Sequence, residues 1–140
     1  MFSTNAIAGK NKLTGLPISQ SWIGSFHSLT KNRIGITLGT INKTGTGRIV
    51  FITSSSLLVS SSIAPIDGRN YVPGDYLTGS IIREDFTCVY SGSNSSVLIN
   101  GLTRDTLYYI RSFEYSGSGL NREYNKSFRL NNPRARATLT

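Results

Sequence analysis

Short runs of β-branched and aromatic residues, each closed by glycine, serine, asparagine or proline, recur along most of this 140-residue chain. Apolar residues do not repeat at spacings of three and four, so the pattern predicts no helix. The clearest run, residues 107–115 (LYYIRSFEY), nearly alternates between the two faces of a strand. Short strands separated by turn residues are typical of an antiparallel β-sandwich, and we predict about seven strands.

The predicted strands follow one another with polar turns between them. A glycine-rich turn at 39–47 and an ordered loop at 63–80, which contains Pro65 and Pro73, separate some of them. A serine-rich segment around Leu57, Leu58 and Val59 predicts a weak edge strand. The main strands are expected at 18–26, 33–38, 48–53, 86–90, 96–100 and 107–115, with a last strand from 128–130 and 135–139 that is interrupted near Pro133.

The chain divides into an arm and one domain. A sandwich of this kind needs about 100 residues, so the first 17 residues exceed what the fold requires. Residues 1–17 are polar and contain Gly9, Gly15 and Pro17, which predicts an extended N-terminal arm before a sandwich at 18–140. The single cysteine, Cys88, excludes an internal disulfide, and its alternating context FTCVY predicts a buried thiol.

Charge is distributed unevenly along the chain. The formal net charge is +8, and residues 1–66 hold six basic residues and no acidic one. The basic residues are scattered singly, whereas a nucleic-acid footprint concentrates on one face or one tail. We therefore expect no specific nucleic-acid partner, and the charge favours attraction to an acidic protein or virion surface. The N-terminus lacks the apolar core of a signal peptide and no apolar run reaches membrane-spanning length, so we expect no membrane partner.

The segment LTRDTLYYI contains the parts of a tyrosine corner. In such a corner a tyrosine near the start of one strand bonds back to the main chain upstream and fixes the crossover between the two sheets. Here Leu102 would fill the core, Thr106 would stand in the turn, and Tyr108 would be the corner residue. Ile110 and Ser112 would then follow Tyr108 on the inward face.

These motifs resemble the fibronectin type III family, and in particular a variant frequent in Bacteroidetes proteins. The resemblance rests on CVYSGSNSSVLINGLTRDTLYYIRSFEYSGSG, on the earlier PIDGRNY, and on Asn121 and Tyr124, and it covers roughly residues 33–140. It implies an immunoglobulin-like sandwich. The chain departs from the family in two places: Arg104 stands at the usual proline position, and Leu38 stands where the family has a strand tryptophan, while Trp22 lies earlier.

The chain offers little for catalysis. One histidine, His27 in a turn context, and one cysteine, Cys88, are too few for a zinc site, which takes about four ligands. Glu84 and Asp85 are adjacent and would point to opposite faces of a strand. Pairing with Asp67, Asp75, Asp105 or Glu114 remains open, although the first three are typical turn residues. We expect a non-enzymatic protein with no cofactor, no metal and no catalytic residue.

Two functions from different classes fit these features. The first is an auxiliary structural protein of a bacteriophage virion, a capsid decoration or head–tail component present in multiple copies and made in the bacterial host cytoplasm. Its partners would be capsid or tail subunits, bound by the sandwich and by an arm that pairs as an added strand. Its candidate partner-binding residues are Lys10, Lys12, Trp22, Tyr71 and Tyr76.

The second function is a carbohydrate-binding or adhesion module of a bacterial surface protein, whose partner would be a surface glycan. Its platform would draw on aromatic side chains, while tyrosines also suit half-buried sheet surfaces with no ligand. The tyrosines concerned are Tyr71, Tyr76, Tyr90, Tyr109, Tyr115 and Tyr124.

Overall fold

The computed structural model describes residues 16–17, 19–41 and 45–140. Within these ranges the chain forms eight β-strands, one short α-helix and one 3₁₀ helix. The predicted arm at 1–17 lies almost wholly outside the described residues. The elements are β1 Trp22–His27, β2 Ile34–Gly39, β3 Gly47–Thr53, α1 Ser56–Ser60, β4 Thr87–Gly92, β5 Ser96–Ile99, β6 Leu107–Ser116, the 3₁₀ helix Gly119–Asn121, β7 Glu123–Tyr124 and β8 Arg134–Ala137.

The strands form two antiparallel sheets. The three-stranded sheet has the order β1-β2-β5, and the five-stranded sheet has the order β4-β3-β6, with both β7 and β8 on the far side of β6. Strand β8 pairs with the first half of β6, and β7 pairs with its last two residues. This arrangement confirms the predicted all-β antiparallel sandwich and is compatible with an immunoglobulin-like or fibronectin III-like fold.

The main core lies between the two sheets. Because successive side chains point to opposite faces of a strand, Ile34, Ile36 and Leu38 of β2 share one face and are all buried. They meet Val50 and Ile52 of the five-stranded sheet. The rest of this cluster is Ile23, Val89, Val97, Ile99, Leu102, Tyr108 and Ile110.

A second apolar cluster covers the opposite face of the five-stranded sheet. Strand β3 is buried along its whole length, so its odd-numbered residues Ile49 and Phe51 also need a cover. The ring of Phe51 stacks on Phe86 with centroids 4.9 Å apart. The cover comes from α1 and the segment 63–86, and the cluster also holds Cys88, Phe113, Tyr115 and Tyr124.

Helix α1 replaces the predicted edge strand at Leu57–Val59, so that prediction was wrong. Leu58 and Val59 are buried in the second cluster, whereas Leu57 is exposed. A short helix turns two adjacent apolar side chains onto the sheet without needing a neighbouring strand for its main-chain groups. Tertiary packing therefore overrides the β propensity of the local sequence.

Candidate protein-docking edge

The residues of the predicted tyrosine corner make structural contacts. The Tyr108 hydroxyl accepts a hydrogen bond of 2.8 Å from the N–H of Thr103. Leu102 is buried in the same core cluster as Tyr108. The Thr106 hydroxyl donates to the Arg104 carbonyl at 2.9 Å. The main-chain carbonyl of Thr106 accepts from the Thr138 N–H at 3.0 Å, so this corner sets the register at the end of β8.

The predicted partner-binding aromatics lie in separate places. The Tyr71 hydroxyl accepts from the Ile66 N–H at 2.9 Å, and its ring packs edge-on against Phe51 in the second cluster. The Tyr76 hydroxyl donates to Asp85 at 2.7 Å. Both hydroxyls therefore serve internal contacts. Lys10 and Lys12 lie outside the described residues.

Trp22 lies on the outer face of the three-stranded sheet. Its ring occupies the space that a side chain at position 39 would need, which explains the glycine there. The Arg129 guanidinium stacks on the ring with Cζ 4.2 Å from its centroid. The structure therefore does not bring Trp22 together with Tyr71 or Tyr76 in one surface.

The Cys88 thiol and the His27 imidazole, the candidate nucleophile and base, lie in different sheets. Cys88 is fully buried in β4, where burial raises the pKa of its thiol to about 12. His27 belongs to β1 of the other sheet, and its Nε2 lies 3.1 Å from the Ile36 carbonyl oxygen. The prediction of a buried thiol is confirmed, and the pair forms no dyad.

Three of the carboxylates, those of Glu114, Asp67 and Asp85, are engaged in structural contacts. Glu114 forms a buried ion pair with Arg48 at 2.9 Å, and Asp67 pairs with Lys126 at 2.8 Å. Asp85 accepts hydrogen bonds from the hydroxyls of Thr53, Ser54 and Tyr76. Among the residues that the structure describes, no group of three His, Cys, Asp or Glu side chains is placed to hold a metal ion. In the same residues, no helix has the length and hydropathy to cross a membrane.

Most sheet edges are covered by the chain itself. The outer side of β1 receives a hydrogen bond from Arg134, whose Nη1 donates to the carbonyls of Ile23 and Gly24, both at 3.1 Å. The N–H of Ile23 donates to the Asn131 carbonyl at 3.0 Å. A sheet edge with unpaired main-chain groups is a template for another strand, and these contacts remove that template from the start of β1.

Strands β4 and β7 are covered in the same way. The Cys88 N–H donates to the Ser80 carbonyl at 2.8 Å, and the Cys88 carbonyl accepts from the Gly74 N–H at 3.2 Å. On β7, the Tyr124 N–H donates to Asp67 Oδ1 at 3.0 Å. The segment 63–86 thus caps two edges as well as one face of the five-stranded sheet.

The edge of β8 is open. Just beyond the paired ends of β8 and β6, the Thr138 N–H donates to the Thr106 carbonyl, and bonded and non-bonded pairs alternate along antiparallel strands. The main-chain N–H and C=O groups of Ala135 and Ala137 therefore point away from β6. No hydrogen bond from elsewhere in the described part of the chain reaches them.

Small and apolar side chains surround these open groups. Ala135 and Ala137 are exposed, and Leu107, the register partner of Ala137, is 46% exposed. Leu130 is 84% exposed at the tip of the tight turn that precedes β8. We call β8 together with Leu107 and Leu130 the docking edge.

The docking edge is basic. Residues 125–140 contain Lys126, Arg129, Arg134 and Arg136 and no acidic residue. Arg134 and Arg136 lie over the Phe26 ring, with Cζ 4.8 and 5.7 Å from its centroid. Hydrogen bonds to carbonyls leave the charge of Arg129 and Arg134 uncompensated, so this side of the sandwich carries a positive field.

Strand β5 has a second edge whose outward main-chain groups are bonded by no other described residue, and this edge has a different character. Just before β5, the Ser95 carbonyl accepts from the Leu38 N–H at 2.7 Å. Because bonded and non-bonded pairs alternate, the outward main-chain groups of β5 belong to Ser96 and Leu98. Strand β5 has the sequence SVLI and carries no charge. Strand β5 is therefore an internal comparison for the docking edge. It also has two residues with outward main-chain N–H and C=O groups, but it carries no basic side chain.

Comparison of the chain with protein-family models and with curated proteins gave no match. Sequence reasoning predicted a strand at 135–139, and the alternation of RARA between charged and small residues was the signal that could have marked it as an edge.

Proposed function

We propose that this chain is a non-enzymatic structural protein of a bacteriophage virion, an auxiliary capsid-decoration or head–tail component that binds neighbouring virion proteins. The observation that carries the proposal is the open and basic docking edge. Other groups that could bind a partner, the hydroxyls of Tyr71 and Tyr76 and the Glu114 carboxylate, are used in contacts within the sandwich. Main-chain pairing at a sheet edge supplies affinity without any reactive group. A basic edge also suits docking on an acidic protein shell.

The N-terminal segment supplies a second element of the proposal. Residues 1–17 hold Lys10 and Lys12 and no acidic residue. The chain enters the sandwich at Pro17, which is buried and whose carbonyl accepts from Asn125 Nδ2 at 2.9 Å. A segment that leaves from a fixed point can be directed at one neighbour, and we propose that this arm binds an adjacent virion subunit in multiple copies.

The finer family assignment is part of the same proposal. The GLTRDTLYYI and EYSGSG motifs support a fibronectin III-like domain of the Bacteroidetes type, and a phage of such a host would suit them. The sandwich fold is compatible with this assignment, and the motif resemblance is its support.

The structure gives less support to a carbohydrate-binding or adhesion module. Sugar platforms use aromatic rings whose faces meet solvent, whereas all seven tyrosines here are buried or half-buried. Tyr115 and Tyr124 pack edge-on against each other in the second cluster. A glycan array with the purified protein is the screen for this function.

The proposal is tested by sedimentation. The purified full chain is first examined by light scattering and then mixed with phage particles or capsid shells and centrifuged. We expect stable co-sedimentation that survives washing. A monodisperse monomer that stays in the supernatant with every particle tested would contradict the proposal and would favour ligand binding.

A further inference from the structure

We infer that β8 accepts an added β-strand from a partner protein, and that the segment it accepts is extended and acidic. This inference rests on the proposed function and deepens it, because it names the contact surface and the chemistry of the partner. Three features of the docking edge support it: free main-chain groups, side chains that permit close approach, and positive charge.

The free main-chain groups define a short window. The carbonyl of Asn131 is taken by Ile23, and the N–H of Leu139 donates to the Thr30 carbonyl at 3.0 Å. Between these two contacts, Ala135 and Ala137 offer their N–H and C=O groups outward. An added strand can therefore form a short ladder here, in which each hydrogen bond contributes about 0.5–1.5 kcal/mol.

The side chains around the window permit a backbone to approach. The methyl groups of Ala135 and Ala137 lie on the same face as Leu107, so alternate side chains of an added strand would contact an apolar surface. Leu130 adds an exposed apolar contact beyond the start of β8. Native edges are commonly protected by bulges or by covering segments. Here the segment 23–30 lies beside β8 and bonds to Asn131 and to Leu139, so an added strand is limited to the window between these two contacts.

Charge selects the partner. Arg136 is exposed beside the window, and the segments 16–41 and 125–140 lack acidic residues. One carboxylate, that of Asp105, lies at the far end of the window, where the Asp105 N–H donates to the Leu139 carbonyl at 2.9 Å. A carboxylate on an added strand would meet Arg136 and the field of Arg134. The arm of a second copy of this chain carries lysines and no carboxylate, so like charge disfavours it as the occupant.

Peptide binding tests the inference directly. The probes are an acetylated and amidated eight-residue peptide of alternating glutamate and valine, and its lysine counterpart. Binding is followed by amide NMR shifts and by hydrogen exchange of the full-length protein. We expect the acidic peptide to bind at least about tenfold more tightly, since like charges across an interface are costly. The Ala135 and Ala137 amides should exchange quickly in the free protein and slowly in the complex.

Two proline variants locate the contact. Ala135→Pro removes an outward N–H at an edge position that tolerates proline, and Leu98→Pro does the same on the uncharged β5 edge. We expect the first to lose peptide binding and the second to keep it. If either variant fails to fold, the exchange of Ala135 and Ala137 in the unaltered protein still decides the question.

The outcomes separate the inference from the proposed function. Protection of Ser96 and Leu98, equal binding of the two peptides, or self-association through the arm would each overturn the inference. If the unaltered protein and Ala135→Pro co-sediment equally with particles, the edge inference fails while the virion proposal stands. If the unaltered protein binds the acidic peptide at β8 but no particle, the virion proposal fails while the edge inference stands.

Discussion

The hydroxyl of Tyr108 accepts a hydrogen bond from the main-chain N–H of Thr103 at 2.8 Å, five residues upstream. This bond joins the start of β6 to the connection that crosses from one sheet to the other. The Tyr108 ring is itself buried and lies edge-on to Tyr76, with centroids 5.2 Å apart. The contact fixes the crossover, and through Thr106 and Thr138 it also positions the end of β8.

Replacing Tyr108 with phenylalanine should destabilise the protein by about 1–2 kcal/mol, because the Thr103 N–H loses its partner while the ring packing is kept. Thermal unfolding should show a Tm lower by several degrees. Tyr109→Phe is the matched control, since the neighbouring hydroxyl makes no hydrogen bond to other described residues. Equal Tm values for Tyr108→Phe and the unaltered protein would show that the bond contributes nothing.

Asp85 should make stability depend on pH. Burial opposes its ionisation, but hydrogen bonds from Ser54, Thr53 and Tyr76 outweigh burial, and the net result is a lowered pKa. A carboxyl whose pKa is lower in the folded state stabilises the fold above its unfolded pKa, and this contribution is lost as the pH falls through the folded value.

Asp85→Asn should therefore lower the free energy of unfolding at neutral pH by about 1–3 kcal/mol and flatten the loss of stability in acid. Urea unfolding at a series of pH values measures both effects. Asp75→Asn is the control, because the exposed Asp75 carboxylate makes no hydrogen bond with the described part of the chain. An unchanged acid limb in Asp85→Asn would contradict this account.

The buried Arg48–Glu114 pair should show strong coupling. The hydrogen bond to Glu114 raises the pKa of Arg48 against the opposing effect of burial. Glu114→Leu leaves the guanidinium without its carboxylate and should cost about 3–5 kcal/mol. The double variant Arg48→Met with Glu114→Leu should be more stable than Glu114→Leu alone, as measured by urea unfolding. If the double variant is destabilised by the sum of the losses from Arg48→Met alone and Glu114→Leu alone, the pair is not coupled.

Deleting residues 1–15 should leave the sandwich folded and abolish its incorporation into particles. Pro17 and its bond to Asn125 remain, so thermal unfolding should change little. Co-sedimentation with particles measures the functional effect. Normal incorporation of the truncated chain would contradict the role proposed for the arm.

Local patterns predicted much of the fold. The alternation of β6 and the LTRDTLYYI motif depend on neighbours in sequence, so they could be read without the structure. Leu57–Val59 could not, because a short apolar run is ambiguous between strand and helix until its tertiary partners are known. The same holds for Tyr71 and Tyr76, whose hydroxyls are engaged by residues that the fold brings to them.

The docking edge was also beyond the reach of sequence reasoning, for a physical reason. Whether an edge is open depends on which loops pack beside it. The structure shows that the segment 63–86 covers β4 and β7, and that Arg134 covers β1. The composition of β8 alone indicates an edge strand, but its availability at Ala135 and Ala137 follows only from the three-dimensional arrangement.

Co-sedimentation of three proteins with phage particles or capsid shells tests the central claim most directly: the full chain, Ala135→Pro and Leu98→Pro. The account predicts that the full chain and Leu98→Pro sediment with the particles and that Ala135→Pro, although folded, stays in the supernatant. Failure of the full chain to sediment with any particle would contradict the assignment as a virion protein.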